Sequence, residues 1–313
     1  ALPFTRSALK PLQALPFVQA SGDAHFGFSR SQVALLCARH SGEPRHVEAV
    51  ADMLAKSGTR VDELHYESHE PRFYERTGQF PPPPPYSPLA HNCSGKHAGM
   101  LACCVLHGWS RDDYLAYDHP LQAAIRGAVA GATGVGVDDL VSGVDGCSAP
   151  NYAVPLSRLA LAYARLAAAR HAGNANPADG RPAADPLATP LSNLASAMGA
   201  HPEMVSGERR SDLALMQAGR GDWVSKIGAE GVQALGVTSR GLGVAIKVAD
   251  GNTRGLHPAT VAVLDTLGLV DDAARAMLAE WAAPTIANFR GLRTGRIEPA
   301  VELSAAGQAH AAD

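Results

Sequence analysis

Ser7 and Lys10, in the run Ser7-Ala8-Leu9-Lys10, have the residue types and the S-x-x-K spacing of a nucleophile and its base. Three residues apart on a helix, a hydroxyl and an amine lie on one face. A hydroxyl is a poor nucleophile until something removes its proton. A lysine amine removes it only when neutral, a state that burial or a second nearby cation produces. A helix start also favours the negative charge that develops on the serine oxygen. The competing reading is an N-cap serine followed by an ordinary surface lysine, which has the same spacing.

A second element sets the two readings apart. Lys226-Ile227-Gly228 lies on a strand-like run and is followed by a hairpin-like pair of further runs. A K-x-G strand flanking an S-x-x-K helix is the arrangement of penicillin-recognising enzymes and their relatives.

Two further stretches carry metal-ligand chemistry. His91-Asn92-Cys93-Ser94-Gly95-Lys96-His97 sits at a loop-to-helix junction, and Asp145-Gly146-Cys147-Ser148-Ala149-Pro150 is a second Gly- and Pro-marked loop. Loop cysteines bind zinc as thiolates. Lys96, three residues after Cys93, reaches the same point but ligates only as a neutral amine, so His91 or His97 is the commoner choice. A Cys93–Cys147 disulfide, or two buried free thiols, stands as an equal alternative. His40-Ser41-Gly42-Glu43-Pro44-Arg45-His46 packs hydroxyl, acid and base into one short run; helix capping accounts for the same residues. Gly207-Glu208-Arg209-Arg210-Ser211-Asp212 either grips an amino-acid zwitterion through an arginine or is a solvated turn capped by Ser211. Cys103 and Cys104 read as packing residues. His119 and His257, each before a proline, read as structural.

These residues need elements to bring them together. Ser7 to about Ala20 reads as a helix with Leu9, Leu12 and Leu15 on one face. Pro11 is harmless in its first turn, and Pro16 bends or ends it. Ser31–His40, Pro44–Ser57 and Ser94–Leu106 read as helices, the last two stopped by Gly58 and Gly108. Residues 65–91 are polar and irregular, and Pro81–Pro85 must be extended. Residues 119–133 and 155–170 are Ala-rich helices, 171–190 is an internal loop, and Ser192–Met198 and Asp212–Ala218 are short helices. Trp223–Ile227, Gly231–Val237 and Leu242–Val248 read as strands separated by glycine, ending in the turn Asp250-Gly251-Asn252. Pro258–Leu267 and Ala273–Trp281 return to helix. The order predicts one α+β domain over 1–313, with helices packed on an antiparallel sheet.

The 313 residues are 46% hydrophobic and 18% charged, which is globular composition. A net charge of −3 and only 5% aromatic residues argue against a nucleic-acid or anionic-membrane partner. No apolar run approaches the roughly 20 residues that cross a bilayer. The start, ALPFTRSALK, has neither an initiator Met nor the apolar stretch of a signal peptide. Five cysteines are an odd, sparse set, suiting a reducing, cytoplasmic setting, although a single disulfide stays open.

Taken together, SALK, HSGEPRH, NCSGKHAGML, DGCSAPNYAVPL, GERRSDLALM, SKIGAEGV and KVADGN resemble the asparaginase II family of the rhizobial, thermolabile type, from about residue 3 to about 300. These are L-asparagine amidohydrolases related in fold to serine β-lactamases, penicillin-binding proteins and glutaminases. The resemblance implies two serine–lysine pairs, Ser7 with Lys10 and Ser41 with Lys226. It implies a zinc site of Cys93, Lys96 and Cys147 completed by water, and a homodimer. The mechanism it suggests is acyl transfer to water, with Ser7 attacking the asparagine side-chain amide, Lys10 taking the Ser7 proton, and Ser41 and Lys226 relaying protons or holding the second lysine neutral. Three features depart from the pattern. The family's N-terminal β-strand segment does not precede SALK, the loop holding Pro81–Pro85 is longer, and Ala90-His91-Asn92 stands where His-Asn-Asn is usual. A glutaminase or penicillin-binding hydrolase of the same architecture, and a catalytically inactive zinc-binding protein, are the alternatives.

Overall fold

The structure is a computed structural model and describes residues 2–172 and 185–305. The chain first folds as a set of short helices. A 3₁₀ turn at Arg6–Leu9 leads into α1 (Lys10–Gln13), α2 (Leu15–Gln19), α3 (Gly22–Phe26) and α4 (Arg30–Leu36). The single helix expected from Ser7 is therefore divided. Pro11 and Pro16 each sit in the first two positions of a helix, where a missing N–H does no harm, and each helix restarts there. α5 (Pro44–Ser57) has Glu43 as N-cap, with His46 completing a reciprocal pair of cap hydrogen bonds, and Gly58 ends it at φ 66°.

After α6 (Arg72–Thr77) comes α7 (Ser94–His107), the buried axis of the helical body, with every residue from Ser94 to Cys104 buried. Its glycines explain how close α4 comes. A Cβ on Gly95 would lie 2.5 Å from the Leu35 carbonyl, and one on Gly99 would lie 2.4 Å from a Leu36 methyl. α8 (Pro120–Thr133) is capped by the His119 side chain, which accepts from the Leu121 N–H. β1 (Val141–Val144) and β2 (Pro150–Ala153) then form a small antiparallel pair. The sequence reading had no strands here, because the short motif Pro-Asn-Tyr-Ala shows no alternation. Next come α9 (Leu156–Ala172), α10 (Ala188–Ala200), α11 (Pro202–Val205) and α12 (Ser211–Ala218). The loop expected at 171–190 lies mostly outside the described residues, and its last residues already belong to α10.

The main sheet is antiparallel, in the order β3 (Trp223–Ile227), β4 (Val232–Val237), β5 (Leu242–Lys247). β4 is buried along its whole length because alternate side chains enter different cores. Val232 and Ala234 join the large core of the helical body, and Leu235 and Val237 join a smaller core with Leu215, Val261 and Leu264. α9 lies directly on β4 and β5 over two glycines. A Cβ on Gly243 would lie 1.8 Å from the Ala160 carbonyl oxygen, and one on Gly236 would lie 2.5 Å from that of Tyr163.

α13 (Thr253–Thr266), α14 (Asp272–Met277) and α15 (Ala279–Ala282) close the second core. α13 starts five residues before Pro258, capped by the Asn252 side chain, so the proline falls inside it. His257 stacks edge-on against Trp281, a packing role. A hairpin of β6 (Thr285–Ala287) and β7 (Arg293–Arg296) follows; the sequence reading placed no strands there. The architecture is α+β, with antiparallel sheets and helices packed on them. Among the described residues no helix is long and apolar enough to cross a membrane.

Candidate active site

Ser7 sits on a strained turn that the rest of the chain holds down. Arg6 has φ 51°, a left-handed conformation that costs a non-glycine residue about 1–2 kcal/mol. Asn151 of β2 clamps both sides of that peptide: its Oδ1 accepts the Arg6 N–H at 2.9 Å and its Nδ2 donates to the Arg6 carbonyl at 3.0 Å. Thr5 donates its hydroxyl to the Tyr152 carbonyl at 2.8 Å, and the Thr5 N–H pairs with the same oxygen. The Arg6 side chain reaches the other way, to Asp145 at 2.8 Å and Glu230 at 2.5 Å. Beyond the turn, the Tyr163 hydroxyl donates to the Ala8 carbonyl at 2.7 Å. Ser7 and Lys10 share the 3₁₀ turn and its exit, where residues three apart eclipse one another. Both are buried.

The Lys10 amine is enclosed. It donates to the Ala38 carbonyl, to the Asn92 carbonyl at 3.2 Å and to Cys93 Sγ at 3.2 Å, so each of its three N–H bonds has an acceptor. Burial pushes its pKa below the ordinary lysine value. Cys93 opposes that shift and Lys96 adds to it. Lys226 on β3 is equally inaccessible. Its amine lies 3.4 Å from Asp212 Oδ2 and donates to its neighbour's carbonyl at 3.0 Å. Burial is the main reason its pKa falls to about 7; Asp212 works against the fall, and Lys10, Arg39 and Arg210 work with it. Asp212 is held below its ordinary value despite burial, because of the Lys226 charge first and then the hydrogen bonds it accepts from the Ile227 N–H, Ser225 and Gln233.

Ser41 faces a different partner. Its hydroxyl accepts from Arg210 Nη1 at 3.2 Å. No hydrogen bond joins Ser41 to Lys226, or Ser7 to either lysine, among the described residues. His40 fixes the approach to Ser41. It accepts the Gly42 N–H on Nδ1, so Nε2 carries the proton given to Ser94 Oγ at 2.9 Å.

The thiol loops meet beside Lys10. Lys96 donates to Cys147 Sγ at 3.0 Å. Cys93 gives its thiol to Asn92 Oδ1 at 3.0 Å, and the interaction between the Cys93 and Cys147 sulfurs pushes the Cys93 thiol up and the Cys147 thiol down, with Lys96 and His97 adding to the fall of Cys147. Lys96 stays above its ordinary value although burial opposes it, because Cys147 and Cys93 outweigh burial. His97 gives Nδ1 to the Tyr114 hydroxyl at 2.7 Å and leaves Nε2 buried without a conventional hydrogen-bond partner, beside the Cys147 sulfur. All five cysteines are free thiols, with Cys103 and Cys104 buried in the helical core. No cluster of three or more His, Cys, Asp or Glu side chains poised for a metal exists among the described residues. Two thiols and an amine fall outside that pattern, and their donor chemistry suits zinc.

The profile of the L-asparaginase II family matches residues 1–299. The chain belongs to this family. No curated protein matches it. Membership in the L-asparaginase II family supports L-asparaginase activity in general, hydrolysis of an amide.

Sequence reasoning named Ser7, Lys10, Ser41, Lys226, Cys93, Lys96 and Cys147. It did not name Asn151 or Asp212. Asn151 follows Pro150 in the DGCSAPN run, and Asp212 closes the GERRSD run, so both lay inside motifs already singled out. Their roles come from tertiary packing that spacing does not encode.

Proposed function

We propose that the protein is an L-asparagine amidohydrolase that forms a β-aspartyl ester on Ser7. The observation that carries the reading is the burial of two lysines, Lys10 and Lys226, on the elements that flank the Ser7 turn, with a chain-long match to the L-asparaginase II family. Two buried amines in one electrostatic neighbourhood oppose each other's charge, and the pair holds fewer protons at neutral pH than two free lysines do. Lys226, lowered to about 7, loses its proton within the neutral pH range, and Lys10 is lowered as well.

In the first step the Ser7 proton passes into the lysine pair, and Ser7 Oγ bonds to the side-chain amide carbon. The carbonyl electrons move onto oxygen, where backbone N–H groups of the turn stabilise them. When the carbonyl re-forms, the C–N bond breaks and the nitrogen takes a proton from the pair and leaves as ammonia. Water then attacks the ester, again giving its proton to the pair, and releases aspartate with Ser7 regenerated. Ser41, bonded to Arg210, belongs to the wall of the site next to this centre.

Cys93, Lys96 and Cys147 would hold a zinc ion. Bound there, the metal would supply positive charge that replaces the lysine–thiolate pairing and shapes the substrate pocket. The proposed assembly is a homodimer acting in the cytoplasm on a small-molecule substrate, with no nucleic-acid or membrane partner.

Ammonia release from asparagine by wild type and Ser7→Ala tests the reading. Release by wild type and loss in the variant support it; equal release by both would sink Ser7 as nucleophile. Release from glutamine with none from asparagine would favour the glutaminase alternative.

A further inference from the structure

Arg210 reaches the Ser41 loop, and Arg39 is a neighbouring cation of Arg210. Arg210 is 5% exposed and begins α12; Arg39 lies between α4 and α5, where its N–H donates to the Val205 carbonyl at 3.0 Å. Neither guanidinium has a carboxylate oxygen within the 4.0 Å of an ion pair, among the described residues. The nearby acids are otherwise engaged. Asp212 serves Lys226, Ser225, Gln233 and the Ile227 N–H. Glu43 accepts the Glu208 N–H at 2.7 Å and lies 3.1 Å from Arg45. Asp145 holds Arg6 at 2.8 Å.

Burial disfavours the charge on Arg210, and Arg39, Arg72 and Arg76 add to that with only Asp212 opposing; Arg39 is disfavoured by burial and by Arg72, against Cys93, Asp145 and Asp212. A buried guanidinium with a single neutral partner, the Ser41 hydroxyl, is costly unless an anion completes it. The surroundings say where that anion comes from. The Phe73 N–H donates to the Ser41 carbonyl at 2.8 Å, so the start of α6 seats directly on this loop. The same stretch borders an open cleft of about 410 Å³ lined by His69, Glu70, Pro71, Arg72, Glu75 and Asn92. The Asn92 carbonyl in turn binds Lys10. The cleft is thus lined by residues whose backbone neighbours hold the Ser41 loop and Lys10, while the two arginines lie behind that lining.

We propose that Arg210 and Arg39 form the subsite for the α-carboxylate of the amino-acid substrate, with Ser41 orienting Arg210 towards it. This rests on the asparaginase reading above and names what that reading leaves open, the grip on the end of the substrate that does not react. Planar guanidinium groups suit a carboxylate, and two of them select α-amino acids over neutral amides. An amide without the carboxylate leaves both cations unpaired, so discrimination against it is strong.

The test compares kcat/KM for asparagine with that for 3-aminopropanamide, which is asparagine with hydrogen in place of its α-carboxylate. The wild type is expected to prefer asparagine by about 100-fold or more, and Arg210→Lys and Arg39→Met to shrink that ratio by about 10–100-fold, mainly through a higher KM for asparagine. An unchanged ratio, or an equal loss on both substrates, overturns the assignment. Arg39→Met, at a position less enclosed than Arg210, keeps the test open if Arg210→Lys folds poorly. If the wild type hydrolyses neither compound, the asparaginase reading fails by itself. Calorimetric binding of L-aspartate then decides the subsite: affinity lost in Arg39→Met supports it, and equal or absent binding in both proteins overturns it.

Discussion

Replacing Asp212 by asparagine should move the alkaline-rising limb of the pH–activity profile to lower pH. Lys226 must be neutral to receive a proton, so activity rises as pH passes its pKa, which lies at about 7. Asp212 is the only acid among the main influences on that value, and it raises it. Removing the anion therefore lowers the pKa and brings the neutral amine in earlier. The distance fixes the scale: at 3.4 Å, Coulomb's law with an effective dielectric of about 20 gives about 5 kcal/mol. At about 1.4 kcal/mol per unit that is a ceiling of roughly 3.5 pKa units. The asparagine oxygen still accepts hydrogen bonds and recovers part of it, so a displacement of at least about 1 unit is expected. Steady-state kcat/KM for asparagine between pH 5 and 9 reads it, with Lys226→Met as the control in which this limb disappears. A limb that stays in place in Asp212→Asn, or moves to higher pH, would refute the account of Lys226.

Three further outcomes follow from the same contacts. Asn151→Ala frees the strained Arg6 peptide by removing two hydrogen bonds, and a fall in kcat of about 10–100-fold with little change in KM is expected; a change in melting temperature alone would show that the clamp is merely structural. Elemental analysis of protein produced with zinc should find about one ion per chain, lost in Cys93→Ser and Cys147→Ser; a metal-free wild type would leave the lysine–thiolate pairs as the complete structure of that cluster. Gly243→Ala forces a methyl group to within 1.8 Å of the Ala160 carbonyl and should destabilise the fold by about 3 kcal/mol in urea unfolding; an unchanged midpoint would contradict the packing of α9 on β5.

The sequence made the main sheet legible almost to the residue, because glycines punctuate three apolar runs and β4 is buried on both faces. Helices with strong stops, α5 at Gly58 and α7 at Gly108, were equally readable. The Ser7 helix was less so. Proline in the first turn is compatible with one bent helix or with several short ones, and packing against β2 selects the second. The small strands β1 and β2 carry no alternating pattern, because β2 is buried on both faces while β1 lies largely exposed. In the site, nucleophile-type and ligand-type residues stood out by spacing. Their partners did not, since Asp212 in a first helical turn looks like any dipole-matching carboxylate until α12 packs on β3. The pairing of Ser41 with Lys226 came from resemblance alone, whereas the hydrogen bond that Ser41 makes is to Arg210.

The most direct test of the central claim is intact-mass analysis of protein quenched in acid during turnover of asparagine. A covalent β-aspartyl adduct on the wild type, mapped to the peptide holding Ser7 and absent from Ser7→Ala, is the predicted result. An adduct on another residue, or turnover that persists in Ser7→Ala, would contradict the account.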